Sequence, residues 1–594
     1  MAHESLMRDR YAGEITNADV GSHVRLAGWI GRRRDHGGVV FLDLRDATGI
    51  AQVVVDPDQI AAVHDLRMEY CIAIGGEVRL RPDGTENPDM ATGAVEVGVT
   101  ELVVLSESDA LPFMLNDRVE VDELIRLEYR YLDFRRPEMA ASLRARSASN
   151  SAMRSAMELE GFIEVETPTL VASTPEGARD MLVPSRINQG SFYALPQSPQ
   201  LYKQLLMVGG VDRYYQIARC YRDEDFRSDR QLEFTQLDIE GSFWGEKDVR
   251  ATIEKAVHAA VMAVKGESAN APFPVMTYAE SMERYGTDKP DVRFEMHLTD
   301  VSLVFAGTDF KGFGATLESG GVVRAINAGQ LGMSRSAMDG IVSHAIELGA
   351  KGLVWMVAED DGTLRSPIAK FLSESEIAGL REALGVVPGD TLLLVADHAM
   401  LTSAVLGQLR VEHGQPEGHD ELAFTWVIDF PVFEVTDEGE LIAKHHPFTQ
   451  PKSLDDMIER PAEAMAHSYD LVLNGSELGS GSVRIHDPHM QSKVFEILGI
   501  SDEEADARFG WFVRALRFGT PPHAGFAVGI DRLLAILLSA PSIRDVIPFP
   551  KTQRGIDPLT SSPSLVNEVQ LRELGIDLRG SVKAALAAQD QPET

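Results

Sequence analysis

Cysteine is scarce in this 594-residue chain, and no run of apolar residues is long enough to cross a bilayer. The two cysteines, Cys71 and Cys220, are far apart and lack CxxC spacing, which excludes a disulfide framework and a cysteine zinc site. The N-terminal residues also lack the charged-then-apolar pattern of a signal peptide. We therefore expect a cytoplasmic protein with no membrane partner.

Positive charge is in short supply as well. There are 56 Lys and Arg residues against 91 Asp and Glu residues, a formal net charge of -35 at pH 7. Such a chain repels nucleic acid at long range, so a nucleic-acid partner must be bound by a local basic patch. Arg32, Arg33, Arg34 and His36 form one candidate, interpreted as a turn between strands, although a solvated loop has the same pattern.

The length of the chain predicts several domains. Five short strand-like segments between residues 21 and 110 predict a small closed barrel, for which the oligonucleotide-binding (OB) fold is one form. A helix is predicted from about Ala140 to Leu159, with Gly161 as its C-terminal cap. From Gly161 onward strands and helices alternate irregularly, which predicts an α+β fold for a multidomain chain. The predicted divisions are 1–112 (barrel), 113–138 (hinge), 139–287 and 421–560 (two parts of one α+β domain), 288–420 (an inserted α+β domain) and 561–594 (a C-terminal extension).

The most informative segment is RCYRDEDFRSDRQLEFTQLD, residues 219–238. If it is a hairpin, strand alternation places Arg222 and Glu224 on one face of the first arm. The corresponding face of the second arm carries Phe234, Gln236, Asp238 and Glu240. A guanidinium, carboxylates, an amide and a flat ring are the groups needed to hold a phosphate, an exocyclic amine and an aromatic base. An exposed hairpin with weak cross-strand ion pairs is the alternative.

A second segment, HAGFAVGIDRLLAILLS (523–539), complements the first. Its glycines, Gly525 and Gly529, allow close approach of the backbone within a strand. Arg532 begins an apolar helix that we expect to be buried, so the guanidinium is predicted to have a buried anionic partner.

Together these segments resemble the class II aminoacyl-tRNA synthetases. The 219–238 hairpin resembles their motif 2, GFAVGIDR resembles motif 3, and GFIEVETPTL resembles motif 1. QSPQLYKQLLM, TPEGARD, HHPFT and GSELGSGSVRIHD extend the resemblance to the bacterial type of aspartyl-tRNA synthetase. It implies an OB-fold anticodon-binding domain, a hinge, an antiparallel-sheet catalytic domain with an insertion, and a homodimer formed through motif 1.

The resemblance also implies an ATP site. In it Arg222 binds the α-phosphate, Glu224 accepts from the adenine amine and Phe234 stacks on the base, with Arg222 and Arg532 as the catalytic residues. Further ATP contacts are implied for Asp223, Gln231, Glu477, Gly529, Ile530, Asp531 and, at the γ-phosphate, Arg532. Magnesium would be held by Glu477 and Ser480 with Asp470 in support. Asp470 and Glu477 are also two helical turns apart, but the glycines around them disfavour a surface helix.

Aspartate recognition follows in the same way. Lys203 and Arg484 match the cations that bind the side-chain carboxylate, and Asp238 matches the residue that holds Lys203. The remaining implied aspartate contacts are Glu176, Ser198, Gln200, Arg222 and His445. The adjacent pair His445–His446 can instead be interpreted as metal ligands, but no third ligand stands at a recognised spacing.

In the barrel, Arg34, Phe41 and Gln52 match anticodon-binding residues of the family. His36 stands where strictly tRNA-Asp-specific members tend to have a bulky aliphatic residue, and Gly84 where they tend to have lysine. Related enzymes with this combination often charge both tRNA-Asp and tRNA-Asn. The resemblance thus implies ATP- and Mg²⁺-dependent ligation of L-aspartate to tRNA through an aspartyl-adenylate, with both tRNAs as substrates.

Three alternatives stay open at this point. Variation in two turns would equally explain His36 and Gly84, leaving an enzyme specific for tRNA-Asp alone. A catalytically silent relative that only binds nucleic acid is the second alternative, and a synthetase for asparagine or lysine is the third.

Overall fold

The computed structural model describes residues 8–36, 38–57, 61–115, 120–174, 178–414, 421–436 and 438–583. The chain folds into two compact units, Met1–Ala141 and Ser142–Thr594. Within the described ranges, no helix combines the length and apolar character needed to span a membrane.

The first unit contains a closed five-stranded barrel, as predicted. Its strands are β1 (His23–His36), β2 (Val39–Arg45), β3 (Ile50–Val55), β4 (Cys71–Leu80) and β5 (Val95–Ser106), in the order β1-β2-β3-β5-β4, closed by pairing of β1 with β4. Alternate residues of β2 are buried, so Val40, Leu42 and Leu44 fill the interior. The prediction of a turn at residues 32–36 was wrong: these residues continue β1 beyond a bulge between Ile30 and Arg32.

Three helices follow the barrel: α1 (Glu123–Glu128), α2 (Arg130–Asp133) and α3 (Pro137–Leu159). The helix predicted from about Ala140 is confirmed as α3, which starts slightly earlier. Gly161 has φ +79°, and the N–H of Phe162 donates to the carbonyl of Met157 at 3.0 Å. This is the Schellman arrangement, in which a glycine in the left-handed region ends a helix.

The second unit is built on an eight-stranded sheet with a smaller sheet inserted between its strands. Its strands are β6 (Ile163–Glu164), β7 (Leu182–Pro184), β8 (Phe192–Ala194), β9 (Arg213–Tyr221), β10 (Glu233–Ser242), β11 (Val275–Thr277), β12 (Thr299–Asp300), β13 (Val322–Asn327), β14 (Val354–Ala358), β15 (Leu364–Arg365), β16 (Thr391–Asp397), β17 (Phe424–Ile428), β18 (Phe433–Val435), β19 (Leu441–Ala443), β20 (Ser468–Leu473), β21 (Ser476–Val483) and β22 (His523–Gly529).

Helices of the second unit cover these sheets. They are α4 (Gln200–Val208), α5 (Glu246–Lys265), α6 (Tyr278–Arg284), α7 (Lys311–Glu318), α8 (Arg335–Glu347), α9 (Glu374–Ala383), α10 (Ala399–Gly414), α11 (Leu454–Glu459), α12 (Pro488–Ile497), α13 (Asp502–Leu516), α14 (Ile530–Leu537) and α15 (Glu568–Leu574). Short 3-10 turns occur at Ala12–Glu14, Asn17–Asp19, Ala61–Asp65, Ala369–Phe371, Pro461–Glu463 and Ile543–Asp545.

The large sheet has the order β11-β17-β20-β21-β22-β10-β9-β6. Its inner strands are antiparallel, and only the two edge pairs, β11 with β17 and β6 with β9, are parallel within the described residues. Helices α5 and α14 pack one apolar side of the sheet, where Ile253, Val257, Leu533 and Phe526 are fully buried. The antiparallel α+β architecture predicted from the sequence is confirmed.

The inserted segment forms its own antiparallel sheet, β12-β13-β16-β14-β15, with apolar clusters on both faces. The strands predicted around residues 322, 354 and 391 are thus present. The exact division of the chain into the six predicted domains stays a prediction.

Asp531 anchors α14 to the rest of the second unit. Its carboxylate accepts from the backbone N–H of Thr235 in β10 at 2.8 Å and from the guanidinium of Arg146 in α3. Only 5% of the Asp531 side chain is exposed. Because a buried charge needs partners, this carboxylate ties together α3, β10 and α14.

We predict that Asp531→Ala lowers the free energy of unfolding by about 3 kcal/mol, because it strips the anion from a largely buried guanidinium. Urea-induced unfolding followed by circular dichroism measures the change. Asp506→Ala is the matched control, since Asp506 pairs with Arg514 at 3.0 Å on the surface, and should cost about 0.5 kcal/mol or less. Equal losses in both variants would contradict the anchoring role.

Candidate functional site

A cavity of about 460 Å³ opens on one face of the large sheet. It is lined from α4, from β10, from the neighbouring ends of β21 and β22, and from residues 444–446. The predicted site residues that line the cavity all come from the segments that carry the resemblance. Its lining includes Ser198, Gln200, Lys203, Arg222, Glu224, Gln231, Phe234, Asp238, His445, Glu477, Ser480, Arg484, Gly529, Asp531 and Arg532.

One end of the cavity carries the ring and arginine expected of a nucleotide site. The guanidinium carbon of Arg222 lies 5.1 Å from the centroid of Phe234. Glu224 lies within reach of two arginines, 3.9 Å from Arg222 and 3.3 Å from Arg230. The predicted strand alternation holds for Phe234 and Asp238 but not for Arg222 and Glu224, because β9 ends at Tyr221. A hydrogen bond from the N–H of Arg222 to the carbonyl of Leu232, 2.9 Å long, sets the chain direction there instead.

Arg532 lies at the same end but not as predicted. Its guanidinium contacts the carbonyl of Glu477 and lies 3.1 Å from Asp229. The Asp229 side chain is 51% exposed, so the prediction of a buried anionic partner was wrong. The prediction failed because Arg532 lies on the side of α14 that faces the cavity and not on its buried side. The buried charge in this helix belongs to the preceding residue, Asp531.

The carboxylates of Asp470 and Glu477 influence each other electrostatically beside this end of the cavity. Asp470 in β20 is paired with Ser480 in β21, and the two strands are joined by a tight turn at Asn474–Gly475, where both φ angles are positive. The sequence is the Asn-Gly pair that such two-residue hairpins favour. Glu477 follows the turn, and burial and then the charge of Asp470 raise its pKa. The donors are hard oxygen atoms with excess negative charge, which fits a magnesium ion.

The other end of the cavity is a buried cluster of four charged side chains. Lys203 Nζ lies 3.0 Å from Asp238 and 3.3 Å from Glu240. Arg484 donates through Nε and Nη2 to the two oxygens of Glu240, at 3.0 and 3.2 Å, and through Nη1 to Ser482 Oγ at 2.7 Å. All four charged side chains are at most 2% exposed. The helix prediction that places Gln200 and Lys203 on one face is confirmed by α4, where both are buried.

Burial and ion pairing have opposite effects on the pKa values of the two carboxylates in this cluster. Burial raises the pKa of Asp238 to about 6, although Lys203 opposes the shift. Burial would also raise the pKa of Glu240, but Arg484 and Lys203 outweigh it and bring that pKa below its usual value. Glu240 is therefore the firmly ionised carboxylate of the pair.

The two adjacent histidines have separate partners. His445 Nε2 lies 3.2 Å from Asp470, and its ring packs edge-on to Phe430. His446 Nε2 lies 2.6 Å from Arg484 Nη1, and burial followed by the charge of Arg484 holds the pKa of His446 well below its usual value. This arrangement gives no support to a shared metal ion between the two rings.

Glu240 and His446 line or border the charged cluster, although the sequence assigned neither of them a role in binding aspartate. Strand alternation places Glu240 on the same face as Phe234, Gln236 and Asp238, but the period of two does not show that Arg484 is its partner. Gly525 lies directly across from it in β22, and a Cβ at that position would collide with the Glu240 carboxylate. The predicted need for glycine at position 525 is thus explained by this side chain.

Several polar atoms of the cavity lining have no hydrogen-bond partner among the residues that the structure describes. They are the donors Gln200 Nε2, Arg222 Nε and Gln231 Nε2, together with Asp238 Oδ1 and His445 Nδ1, all buried. Since buried polar atoms are normally satisfied, these atoms point to a polar ligand in the cavity.

Three predicted ATP- or magnesium-site residues that the structure describes, Asp223, Asp470 and Ile530, do not belong to the cavity lining. Ile530 is fully buried in the core, and Asp531 borders the cavity but has its carboxylate engaged in the anchor described above. Asp223 pairs with Arg179 at 3.4 Å. Glu176 lies outside the described residues. The roles assigned to the predicted site residues stay predictions.

Three of the predicted anticodon residues, Arg34, Phe41 and Gln52, lie on the neighbouring strands β1, β2 and β3. Arg34 and Phe41 are paired between β1 and β2, and Arg34 Nη2 donates to Asp43 at 2.7 Å and to Gln52 at 3.2 Å. Gln52 in turn donates to Glu96 at 2.9 Å. His36 is the exposed last residue of β1, which corrects its prediction as a turn residue, whereas Gly84 does lie in a turn, with φ +80°.

Comparison with known proteins gives a consistent result. A family profile described as "tRNA synthetases class II (D, K and N)" matches residues 122–553, and one described as "OB-fold nucleic acid binding domain" matches residues 24–105. Proteins named "Aspartate--tRNA(Asp/Asn) ligase" from Persephonella marina and Thermobifida fusca are 48% and 50% identical to the chain. The first alignment covers 96% of this chain and 97% of the relative, and the second covers 96% and 99%.

Solved structures share the fold at much lower identity. The asparaginyl-tRNA synthetase of Pyrococcus horikoshii, complexed with asparaginyl-adenylate, superposes with a TM-score of 0.58 at 18% identity, covering 92% of this chain and 98% of that one. The aspartyl tRNA synthetase of Entamoeba histolytica gives 0.57 at 18% identity, with 94% of each chain covered. The motifs, the sheet around the cavity and the family match agree, and the chain belongs to the class II tRNA synthetases of the D, K and N group.

Proposed function

We propose that this protein ligates L-aspartate to tRNA, using ATP and passing through an aspartyl-adenylate. The observation that carries the proposal is the pair of buried cations, Lys203 and Arg484, at the closed end of the cavity. A carboxylate entering there receives charge-assisted hydrogen bonds from both. The amide of asparagine would turn an N–H donor toward groups that can only donate, and the ammonium of lysine would meet two like charges.

The nucleotide end supports adenylate chemistry. The substrate α-carboxylate is already ionised at neutral pH, so the first step needs no protein base. In this proposal Arg222 and Arg532 neutralise charge on the triphosphate, Phe234 stacks on the adenine and Glu224 accepts from the adenine amine. Catalysis by this chain is then positioning of two reactants combined with charge neutralisation.

We further propose that Glu477 and Ser480 hold a magnesium ion, with Asp470 in support. The excess of buried negative charge there supports this assignment. Magnesium bound at these oxygens would supply additional positive charge for the triphosphate.

We propose that the barrel binds the anticodon through Arg34, Phe41 and Gln52, and that both tRNA-Asp and tRNA-Asn are substrates. Stacking on an aromatic ring tolerates any base, so hydrogen bonds must provide the choice. The names of the relatives, with His36 and Gly84 in this chain, support relaxed specificity.

A homodimer through the motif 1 segment completes the proposal. Leu159, Ile163 and Leu170 are 86%, 54% and 51% exposed around the edge strand β6. Exposed apolar side chains gathered along one segment are typical of a contact surface. The cytoplasmic location expected from the sequence stays a prediction.

We predict that Arg222→Ala abolishes aspartate-dependent exchange of pyrophosphate into ATP, with a loss of about 1000-fold or more, because it removes a phosphate-neutralising charge. Arg219→Ala, on the exposed side of the same hairpin, should keep the exchange activity. Thermal unfolding checks that both variants are folded. Full exchange by Arg222→Ala would contradict the assignment, and exchange by the unmodified protein excludes a catalytically silent relative.

Glu240→Gln is expected to raise the KM for aspartate by about 10- to 100-fold, because the amide offers Arg484 a single neutral acceptor in place of two charged ones. Pyrophosphate exchange at varied aspartate concentration measures it. The control is Glu233→Gln in the same strand, whose carboxylate pairs with Arg219 and Lys551 away from the cavity. An unchanged KM in Glu240→Gln would refute the positioning role of Glu240.

Purified tRNA-Asp and tRNA-Asn transcripts test the tRNA choice. We expect aspartate to be attached to both, and we expect His36→Leu to reduce charging of tRNA-Asn more than that of tRNA-Asp. If the unmodified protein leaves tRNA-Asn uncharged, the relaxed specificity is wrong and the strictly tRNA-Asp-specific alternative holds.

A further inference from the structure

Glu69 has an unusual backbone and an unusual environment for a glutamate. Its φ is +63°, in the left-handed region that non-glycine residues avoid, and the residue is 3% exposed. Its N–H donates to the carbonyl of Ile30 at 2.8 Å, immediately before the bulge in β1. A strained backbone and a buried carboxylate each carry an energetic cost, so their coincidence indicates that this side chain is needed where it is.

The Glu69 carboxylate joins the barrel to the segment that follows it. One oxygen, Oε2, accepts from Arg45 at the end of β2 at 2.7 Å and from Arg135 at 3.0 Å. The Arg135 guanidinium also lies 4.6 Å from the centroid of the Trp29 ring. We call Trp29, Arg45, Glu69 and Arg135 the hinge latch, since Arg135 belongs to the predicted hinge and the other three belong to the barrel.

The hinge latch shares a face with the proposed anticodon residues. Trp29 pairs with Arg45 across β1 and β2, and Arg34 pairs with Phe41 on the same two strands. Phe41 and Arg45 are both outward-facing positions of β2. Four residues of extended strand separate them by about 13 Å. The paired strands β1 and β2 therefore connect the proposed anticodon residues to the hinge latch.

On its other side the hinge latch adjoins the residues that lead into α3. Asp133 is fully buried and lies 2.6 Å from Arg130, 3.1 Å from Arg126 and 3.6 Å from Arg136. Helix α3 begins at Pro137, the residue that follows Arg136. The hinge around Arg135 is thus a compact cluster of ion pairs. Glu69 is the barrel residue whose side chain pairs with Arg135.

We propose that the hinge latch is a positioning device for tRNA: it fixes the hinge on the barrel, and this order in the hinge raises the rate of transfer to a tRNA that is bound by its anticodon. The inference rests on the proposed function. Activation of aspartate does not involve the barrel and should not depend on the hinge latch. Transfer to tRNA requires both ends of one molecule to be held at once, so a loose hinge should lower its rate.

Arg135→Met tests the proposal in the full-length protein, because this side chain can be removed without entering the barrel core. We expect kcat for charging full-length tRNA-Asp to fall by about 10- to 100-fold, as for a misplaced reacting group. Aspartate-dependent pyrophosphate exchange and the affinity for an isolated anticodon stem-loop should both stay at the level of the unmodified protein. Arg135→Lys, which keeps a cation opposite Glu69, should recover part of kcat.

Two further variants sharpen the result. Glu69→Gln should give the same pattern, and the double variant with Arg135→Met should be no worse than the more impaired single variant, because both break one contact. Arg25→Met is the matched control, since Arg25 forms an exposed pair with Asp9 in the same unit, and should leave charging unchanged.

Unchanged charging in Arg135→Met would overturn the proposal. A parallel loss of stem-loop affinity would also overturn it, because the residue would then act on the anticodon site itself, and so would a parallel loss of exchange. Failure of the proposed function appears differently, as absence of exchange in the unmodified protein, and would overturn both proposals together.

Discussion

The structure of the catalytic unit depends on burying four charges in one place. Lys203 comes from α4, Asp238 and Glu240 from β10, and Arg484 from the residue after β21. Removing a charge from water is tolerable only when an opposite charge and good hydrogen bonds replace the solvent. These elements must therefore meet in a single register, and a shift of β10 by one residue would turn both carboxylates to the opposite face of the sheet.

The same constraint gives the cavity its chemistry. A carboxylate that enters beside Lys203 and Arg484 finds cations already oriented by Asp238 and Glu240, so little reorganisation is needed on binding. The two carboxylates differ in character, since the pKa of Asp238 is raised to about 6 while that of Glu240 is lowered. Glu240 can therefore fix Arg484 permanently, whereas Asp238 is the carboxylate whose protonation responds to charge added nearby.

Sequence patterns alone found the barrel strands, the motif segments and the α+β class, because these follow from local periodicity and turn chemistry. The patterns failed where tertiary contacts decide. Residues 32–36 continue as strand although their composition is that of a turn, since pairing with β2 supplies their hydrogen bonds. Arg532 faces the cavity although its helix is apolar. Arg222 lies beyond the end of β9, and its backbone N–H donates to the carbonyl of Leu232, so strand alternation does not decide its direction. The Glu69 contact with Arg135 joins residues 66 positions apart, beyond the reach of any periodic signal.

In this chain, which has a net charge of -35, several cations are held in place by internal anions. Arg34 is held by Asp43, Arg230 by Glu224, Arg532 by Asp229 and Arg484 by Glu240. In each pair the carboxylate fixes the guanidinium while leaving other donors of the fork available. Binding is then governed by the fit of a phosphate or carboxylate to a prepared donor and less by long-range attraction, which the overall charge opposes. The acidic composition thus favours selectivity. An anionic ligand must contact several of these oriented guanidinium groups at once to offset its repulsion by the net negative charge of the chain.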